Sequence, residues 1–119
     1  MIVADYRITT TNKYRNRFMR VDGMLFRSQK EAKRYVDLKL LQKAGKIEKL
    51  ECQRSYELAP PVLILGKRHR ALRYVADFVY RDLSHGGVIV EDSKGVRTPT
   101  YRIKKHLMKH VYGIDVLET

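Results

Sequence analysis

Two acidic residues stand inside apolar runs of this sequence, where ionised side chains are unusual. Asp77 lies within residues 74–80, Asp92 ends the run at residues 88–92, and Lys94 follows two residues later. Both runs are rich in β-branched and aromatic residues, which is typical of strands. Because side chains alternate between the two faces of a strand, Asp92 and Lys94 point to the same face. Burying a charge is unfavourable unless it has a partner, so these residues are candidates for chemistry.

The two aspartates are expected to face each other across a hairpin. If the chain turns symmetrically about Ser84 and His85, Asp77 lies opposite Asp92, although a slip of one residue would separate them. Opposed residues have Cβ atoms about 4.5–5.5 Å apart, and two carboxylates that close repel each other unless a cation lies between them. Mg²⁺ often binds one or two carboxylates together with water and phosphate. The pair therefore predicts a metal site, where Lys94 would orient or deprotonate an attacking water or offset charge on a phosphate.

An ordinary surface arrangement is the alternative explanation for these three residues. Asp77 would then face solvent, and Asp92 and Lys94 would form an i,i+2 pair on the surface. Valines that share the parity of each acid argue against it, because acids within a valine face are unusual unless they serve a site. These valines are Val75, Val79, Val88 and Val90.

Glu31 has two competing interpretations. Ser28 is a good N-cap residue, and Glu31 three positions later completes a capping box in which it bonds only the Ser28 amide. Glu31 also shares a helix face with Tyr35 and Leu38, from which a carboxylate could reach a metal pocket. The residues alone favour the capping interpretation.

The remaining sequence predicts the elements that would position these residues. We expect an N-terminal arm at 1–13, a hairpin at 17–27 around Asp22-Gly23, a helix from Ser28 to Ala44-Gly45, strands at 47–58 and 62–65, a basic turn at 66–70, strands at 71–80 and 88–92, a helix from Pro99 to Gly113, and a strand at 114–117. The apolar stripes of the helices are Ala32, Tyr35, Val36, Leu40 and Leu41, and Ile103, Leu107 and Val111. This order predicts an α+β or α/β fold with helices on a mixed sheet.

The composition indicates one domain with a polyanionic partner. The 119 residues suit a single domain, and 44% hydrophobic residues are enough for a core. A formal net charge of +12 favours nucleic acid as the partner, with an anionic membrane surface second. No apolar stretch approaches the ~20 residues needed to span a bilayer, so we expect no membrane insertion. The single cysteine and the lack of a signal-like apolar block fit a reducing, cytoplasmic setting.

Basic residues fall in two segments that are expected to contact phosphates. They are Lys67, Arg68 and Arg70 in the predicted turn, and Arg97, Arg102, Lys105 and Lys109 at or before the last helix. Phosphate contacts of this kind supply affinity without reading base sequence. A solvated charged face explains any one of these residues, whereas the summed positive charge favours nucleic-acid binding.

The ordered set of motifs resembles the PD-(D/E)XK, or restriction-endonuclease-like, nuclease superfamily. The resemblance is strongest to a family of small phage-encoded proteins, and it spans roughly Lys13 to Glu118. The residues that carry it are Ser28 with Glu31, Leu50 with Gln53, Ala76-Asp77-Phe78, and Glu91-Asp92-Ser93-Lys94-Gly95. Archaeal Holliday-junction resolvases and the endonuclease subunit of a cut-and-paste transposase have a similar layout. Ala76 stands where the name-giving proline of the motif would be.

The resemblance implies an αβββαβ core at residues 14–119 and phosphodiester hydrolysis that depends on Mg²⁺ or Mn²⁺. By position, Asp77 and Asp92 would be metal ligands and Lys94 the catalytic lysine. Glu31 would be a further metal-site carboxylate, and the Ser93 carbonyl a further ligand. Glu91 is the competing motif acid, but its parity opposes that of Lys94, so we favour Asp92.

The leading expectation is a metal-dependent DNA endonuclease, selective for branched DNA such as Holliday junctions, in phage DNA recombination or processing in the bacterial cytoplasm. Cutting both strands of a junction would suit a homodimer with two-fold symmetry. The alternative is a non-catalytic basic nucleic-acid-binding protein that retains the nuclease fold. An RNA- or ribosome-associated protein would explain the charge but not the acids on a valine-rich strand pair.

Overall fold

In a computed structural model, which describes residues 7–11 and 17–119, the chain has a mixed α+β architecture, as predicted. Its elements are β1 (Arg7–Thr11), β2 (Arg17–Val21), β3 (Met24–Phe26), α1 (Gln29–Lys43), β4 (Ile47–Ala59), β5 (Val62–Ile64), β6 (Lys67–His69), β7 (Leu72–Asp82), β8 (Val88–Asp92), α2 (Pro99–Tyr112) and β9 (Leu117–Glu118). Omitting the hairpins, the order α1, β4, β7, β8, α2, β9 is the expected αβββαβ succession. Neither helix is long and apolar enough to cross a membrane.

The chain divides into two compact units. The first comprises Met1–Leu50 with Arg81–Gly87, and the second comprises Glu51–Tyr80 with Val88–Thr119. Each unit contains one helix, α1 in the first and α2 in the second.

In the first unit, β1, β2 and β3 form an antiparallel sheet beside α1. Asp22 and Gly23 have φ of 50° and 79°, so the predicted Asp-Gly turn is confirmed as one with two left-handed residues. β1 lies within the predicted N-terminal arm and pairs with β2, while residues 1–6, 12 and 13 of that arm lie outside the described residues.

Helix α1 begins at the predicted cap, but its buried stripe differs from the prediction. The buried apolar residues are Ala32, Tyr35 and Leu38, whereas Leu40 and Leu41 are exposed. The Phe26 and Tyr35 rings lie 5.0 Å apart, so the stripe follows the partner that the hairpin supplies. Hydrophobicity alone therefore predicted the wrong buried residues for the C-terminal half of the helix.

In the second unit, a four-stranded sheet has the order β4-β7-β8-β9, with β9 parallel to β8. Helix α2 starts after Thr98, which accepts a hydrogen bond from the Tyr101 amide, and it ends at Gly113 with φ of 71°. Its predicted stripe is wrong at Ile103 and Val111, which are 60% and 45% exposed, whereas Leu107 packs against the core as predicted. The buried residues of the helix are Tyr101 and Met108. These two residues join the sheet core, because Met fills irregular gaps and the Tyr hydroxyl has a polar partner.

Two short segments depart from the predicted boundaries. The last strand is β9, shorter and later than predicted, because Ile114 and Val116 pack against or into the core instead. The predicted basic turn at 66–70 is wrong: three of its residues form β6, which pairs antiparallel with β5. The reversal occurs at Leu65 and Gly66, with φ of 51° and 76°.

Candidate metal and nucleic-acid site

The Asp77 carboxylate lies against the end of the neighbouring strand β8. The Ser93 amide donates a hydrogen bond of 2.9 Å to Asp77 Oδ2. The Gln53 side chain, from β4 on the other side of β7, donates from Nε2 to Asp77 Oδ1 at 3.4 Å. Asp77 therefore contacts the residue that follows Asp92, one position from the residue that the predicted hairpin register places opposite it.

Asp92 is buried, and its two carboxylate oxygens have different surroundings. The Tyr74 hydroxyl donates a hydrogen bond of 2.6 Å to Oδ2. Lys94 Nζ lies 3.2 Å from Oδ1, but among the described residues this oxygen accepts no hydrogen bond of good geometry. Lys94 Nζ also lies 4.3 Å from the centre of the Tyr101 ring. The predicted Asp92–Lys94 pair therefore exists, and one buried oxygen retains acceptor capacity.

The electrostatics around Tyr74 reflect both aspartates. Burial raises the pKa of the Tyr74 phenol, and the hydrogen bond to Asp92 together with the negative charges of Asp92 and Asp77 raises it further. Tyr74 therefore remains protonated over the physiological range and donates to Asp92. Asp77 and Asp92 thus act on the same hydroxyl group, which supports their convergence.

Gln53 sits at a strained point of β4. It has φ of 55°, and Lys49 four residues earlier has the same value, although neither residue is glycine. Left-handed backbone is unfavourable for such residues and often marks functional positions. Sequence reasoning included Gln53 in the motif but gave it no role. The signal that could have indicated a role for Gln53 was its polar amide within a predicted strand.

Only two of the four valines that share the parity of the two acids are buried. Val79 and Val90 are buried, whereas Val75 is 46% and Val88 64% exposed. Asp77 is partly exposed and Asp92 is buried.

Glu91 is fully buried, and both of its carboxylate oxygens accept hydrogen bonds from other side chains. The Tyr80 hydroxyl donates to its Oε2 at 2.7 Å, and the Thr119 hydroxyl donates to its Oε1 at 3.0 Å. Hydrogen bonds of this quality let a buried carboxylate persist without a ligand. Both oxygens of Glu91 are thus engaged, which favours Asp92 as the motif acid.

Glu31 belongs to the first unit, at the start of α1. It is 8% exposed, and its amide donates to Ser28 Oγ at 3.1 Å, which is one half of the predicted capping box. Its role as a metal-site carboxylate stays a prediction.

Glu118 organises a second cluster next to Asp92, to which it is paired in register across β8 and β9. Its carboxylate accepts hydrogen bonds from Arg97 Nε at 2.7 Å, the Tyr101 hydroxyl at 2.8 Å and Lys105 Nζ at 3.1 Å. These bonds, with that from Arg97 the strongest, lower the pKa of Glu118 to about 2. Sequence reasoning missed Glu118 and Tyr101, since nothing in their spacing indicates that they meet.

The predicted nucleic-acid contacts fall on two surfaces of the second unit. Arg97, Arg102 and Lys105 line a groove of about 580 Å³ beside α2, which we call the α2 groove. His106 and Lys109 also line the groove, together with the acidic residues Asp115 and Glu118. The others, Lys67, Arg68 and Arg70, are exposed on and just after β6.

A divalent cation is compatible with the donors at Asp77 and Asp92. The buried Asp92 Oδ1 retains acceptor capacity, and the Ser93 backbone carries a carbonyl in the adjoining position. Among residues 7–11 and 17–119 no group of three or more His, Cys, Asp or Glu is placed to hold a metal. A site here would thus use two carboxylates with backbone, water or phosphate oxygens, a set that Mg²⁺ accepts.

A family model matches residues 11–117, which include the two aspartates, Lys94 and all residues that line the α2 groove except Glu118. The chain belongs to the family described as Protein of unknown function (DUF1064). No curated protein and no solved structure matches the chain. The match covers most of the chain but assigns no chemistry to it.

Proposed function

We propose that this family member is a metal-dependent endonuclease that hydrolyses phosphodiester bonds in DNA. The observation that carries the proposal is the buried Asp92 oxygen, held beside Lys94 and one residue from the Asp77 contact. A buried carboxylate oxygen that pairs with a lysine but accepts no good hydrogen bond is unfavourable unless a ligand uses it.

Asp77, Asp92 and the Ser93 carbonyl would hold the cation, which is Mg²⁺ or Mn²⁺. Bound there, the cation would polarise the scissile phosphate and make water a better nucleophile. Gln53 and the Ser93 amide fix the orientation of Asp77, while Tyr74 fixes that of Asp92. Glu31 lies in the first unit, and its role at a metal stays a prediction from the sequence.

Lys94 is the proposed catalytic base or charge partner. Its side chain is 27% exposed, and its ammonium group contacts both Asp92 and the Tyr101 ring. From this position it can orient a water or offset negative charge on the phosphate, and these interactions strengthen as charge develops.

The proposed substrate is DNA, with branched structures such as Holliday junctions preferred, and a homodimer is the proposed assembly. The net charge of +12 and the α2 groove supply phosphate contacts but few base-reading side chains, which favours recognition of shape. Two copies related by a two-fold axis would present two sites to the two strands of a junction.

The test is cleavage of linear, flap and four-way DNA with Mg²⁺ or Mn²⁺ by wild type, Asp77→Asn and Asp92→Asn. Both variants should lose metal-dependent cleavage and keep DNA binding, because one carboxylate charge is removed with little change in volume. Asp37→Asn, an exposed aspartate in α1, is the matched control and should cleave as wild type does. Equal nicking by the wild type and both site variants would reject the proposal.

A non-catalytic nucleic-acid-binding protein is the second candidate. It is favoured by the Lys94–Asp92 ion pair, since a lysine can itself neutralise the buried carboxylate. This candidate requires salt-sensitive DNA or RNA binding with no cleavage under either cation. The same assay on DNA and RNA, run over a range of salt concentrations, separates the two candidates.

A further inference from the structure

The hairpin formed by β5 and β6 exposes an unbroken run of apolar residues. Val62, Leu63 and Ile64 are 48%, 74% and 52% exposed, and Leu65 at the tip is fully exposed. No residue from Pro60 to Arg70 is buried. A two-stranded hairpin without a buried face is only marginally stable in water, and a consecutive exposed apolar run is typical of a binding surface.

The tip is also strained in an unusual way. Leu65 and Gly66 both have positive φ, the geometry of a two-residue turn that favours Asn or Asp followed by Gly. Elsewhere in the described part of the chain, a turn of the same kind uses Asp22-Gly23. A leucine at the first position is unfavourable for the backbone and for contact with water, so its presence indicates a function for an apolar tip.

Cations lie opposite two of the aliphatic residues of the hairpin, and His69 lies opposite Val62. Across the two strands, Leu63 pairs with Arg68 and Ile64 pairs with Lys67. Paired residues lie on the same face, so both faces of the hairpin present apolar and cationic groups together. The sequence contains no acidic residue between Glu57 and Asp77. This charge pattern is complementary to a polyanion that also offers apolar surface, such as a nucleic acid with an opened base stack.

The hairpin lies towards the same end of the sheet as the two aspartates. β7 runs antiparallel to β8, because Tyr80 bonds Glu91 while Asp77 bonds Ser93. β8 ends at Asp92, and β7 continues beyond that point from Asp77 back to Leu72, a distance of about 16 Å at 3.3 Å per residue. The hairpin directly precedes Leu72.

We propose that the β5–β6 hairpin is a wedge that inserts Leu65 into an opened base stack of DNA, with Lys67 and Arg68 on the flanking phosphates. Apolar side chains inserted between bases unstack them and bend the duplex, and this is easiest where stacking is already interrupted. The inference names distorted or branched DNA as the preferred ligand, and it rests on the proposed function only for the choice of DNA as partner.

The experiment measures binding without divalent cation, so that no cleavage occurs, to four-way DNA carrying 2-aminopurine at the branch and to a linear duplex. Wild type should bind four-way DNA more tightly and raise the 2-aminopurine fluorescence. Leu65→Asn should bind four-way DNA about tenfold more weakly, since one leucine no longer leaves water, and should abolish the fluorescence rise. Asn tolerates the left-handed backbone, so the hairpin should remain folded.

Leu40→Asn, at an exposed leucine of α1, is the matched control and should leave binding and fluorescence unchanged. Leu65→Gly also permits the left-handed backbone of the turn, so its DNA binding and fluorescence should equal those of Leu65→Asn. Lys67→Ala with Arg68→Ala should weaken both substrates and reduce the slope of log affinity against log salt by about 2.

Wild-type binding and fluorescence in both Leu65 variants would overturn the wedge. Loss of binding to anionic phosphatidylserine vesicles in Leu65→Asn, without any change on DNA, would overturn it in favour of a membrane surface. Loss of a dimer in Leu65→Asn, with unchanged DNA binding by the monomer, would overturn it in favour of self-association. This assay measures binding without cleavage, so it can be interpreted even if the wild type never cleaves DNA. The wedge and the proposed nuclease activity can therefore be rejected independently of each other.

Discussion

Asp92 and Glu118 are paired in register on neighbouring parallel strands, yet their carboxylates differ in burial and in hydrogen bonding. Glu118 accepts hydrogen bonds from Arg97, Tyr101 and Lys105. Asp92 is more deeply buried, but Tyr74 is its hydrogen-bond donor and Lys94 contacts its other oxygen without good hydrogen-bond geometry. The partly buried Glu118 carboxylate has its hydrogen-bond donors within the chain, whereas one oxygen of the more deeply buried Asp92 accepts no hydrogen bond among the described residues. Under the proposed function, Glu118 would be a structural carboxylate and Asp92 one that binds a ligand.

The largest expected contrast is in the response to Mn²⁺. At about 100 times its dissociation constant, Mn²⁺ should stabilise the wild type by about 2.7 kcal/mol, because it binds the folded state. Asp92→Asn should lose this stabilisation, whereas Glu118→Gln should keep it. Thermal unfolding with and without Mn²⁺ is the measurement. Equal stabilisation of wild type and Asp92→Asn would remove the distinction between the two acids.

Glu118→Gln should lower the free energy of unfolding by about 1–2 kcal/mol. The neutral amide weakens the charge-assisted bonds from Arg97 and Lys105. Urea unfolding measures the change. Asp115→Asn, in the exposed ion pair with Lys109, is the control and should change stability by less than about 1 kcal/mol. A similar loss in both variants would mean that Glu118 is no more than a surface partner.

The contribution of Glu118 should also depend on pH. Hydrogen bonds from Arg97, Tyr101 and Lys105 lower its pKa from 4.5 to about 2 on folding. A depressed folded pKa gives stability that is fully present above the unfolded value and is lost as pH falls through the folded value. Urea unfolding of wild type and Glu118→Gln should therefore converge between about pH 4.5 and pH 2. A constant difference across this window would contradict the assigned bonds.

The smallest expected effect compares two lysines of the α2 groove. Lys105→Gln should destabilise the fold slightly more than Lys109→Gln, because Lys105 bonds the partly buried Glu118 and Lys109 bonds the exposed Asp115. Both changes should stay within about 1 kcal/mol. Both should reduce DNA affinity similarly at low salt if the groove contacts phosphates. Unfolding and DNA titrations of the same two variants provide the measurements.

The elements of this fold were largely predictable, because local signals specify them. The Asp22-Gly23 turn, the Ser28 cap and the Gly113 end of α2 each follow from side-chain chemistry within a few residues. The buried faces of the helices were less predictable. Leu40 and Ile103 are apolar but exposed, because the packing partner rather than hydrophobicity alone selects the face.

The candidate site was predictable only in part. The parity of Asp92 and Lys94 and the hairpin symmetry led to the acidic pair, since strand alternation is a local rule. Gln53 and Tyr74 reach it from β4 and from the N-terminal part of β7, so their contacts depend on strand pairing and long-range packing. The turn at Leu65-Gly66 was missed because leucine is disfavoured there.

By itself, the sequence determined the order of helices and strands, the positive charge and the short-range spacing of Asp92 with Lys94, because these depend on neighbouring residues. Only the tertiary structure decided which carboxylate is satisfied. Glu118 and its three donors come from β9, the start of α2 and the segment before it, and they meet because β9 pairs parallel to β8. Hydrogen bonding and burial depend on that pairing, and no local pattern encodes it.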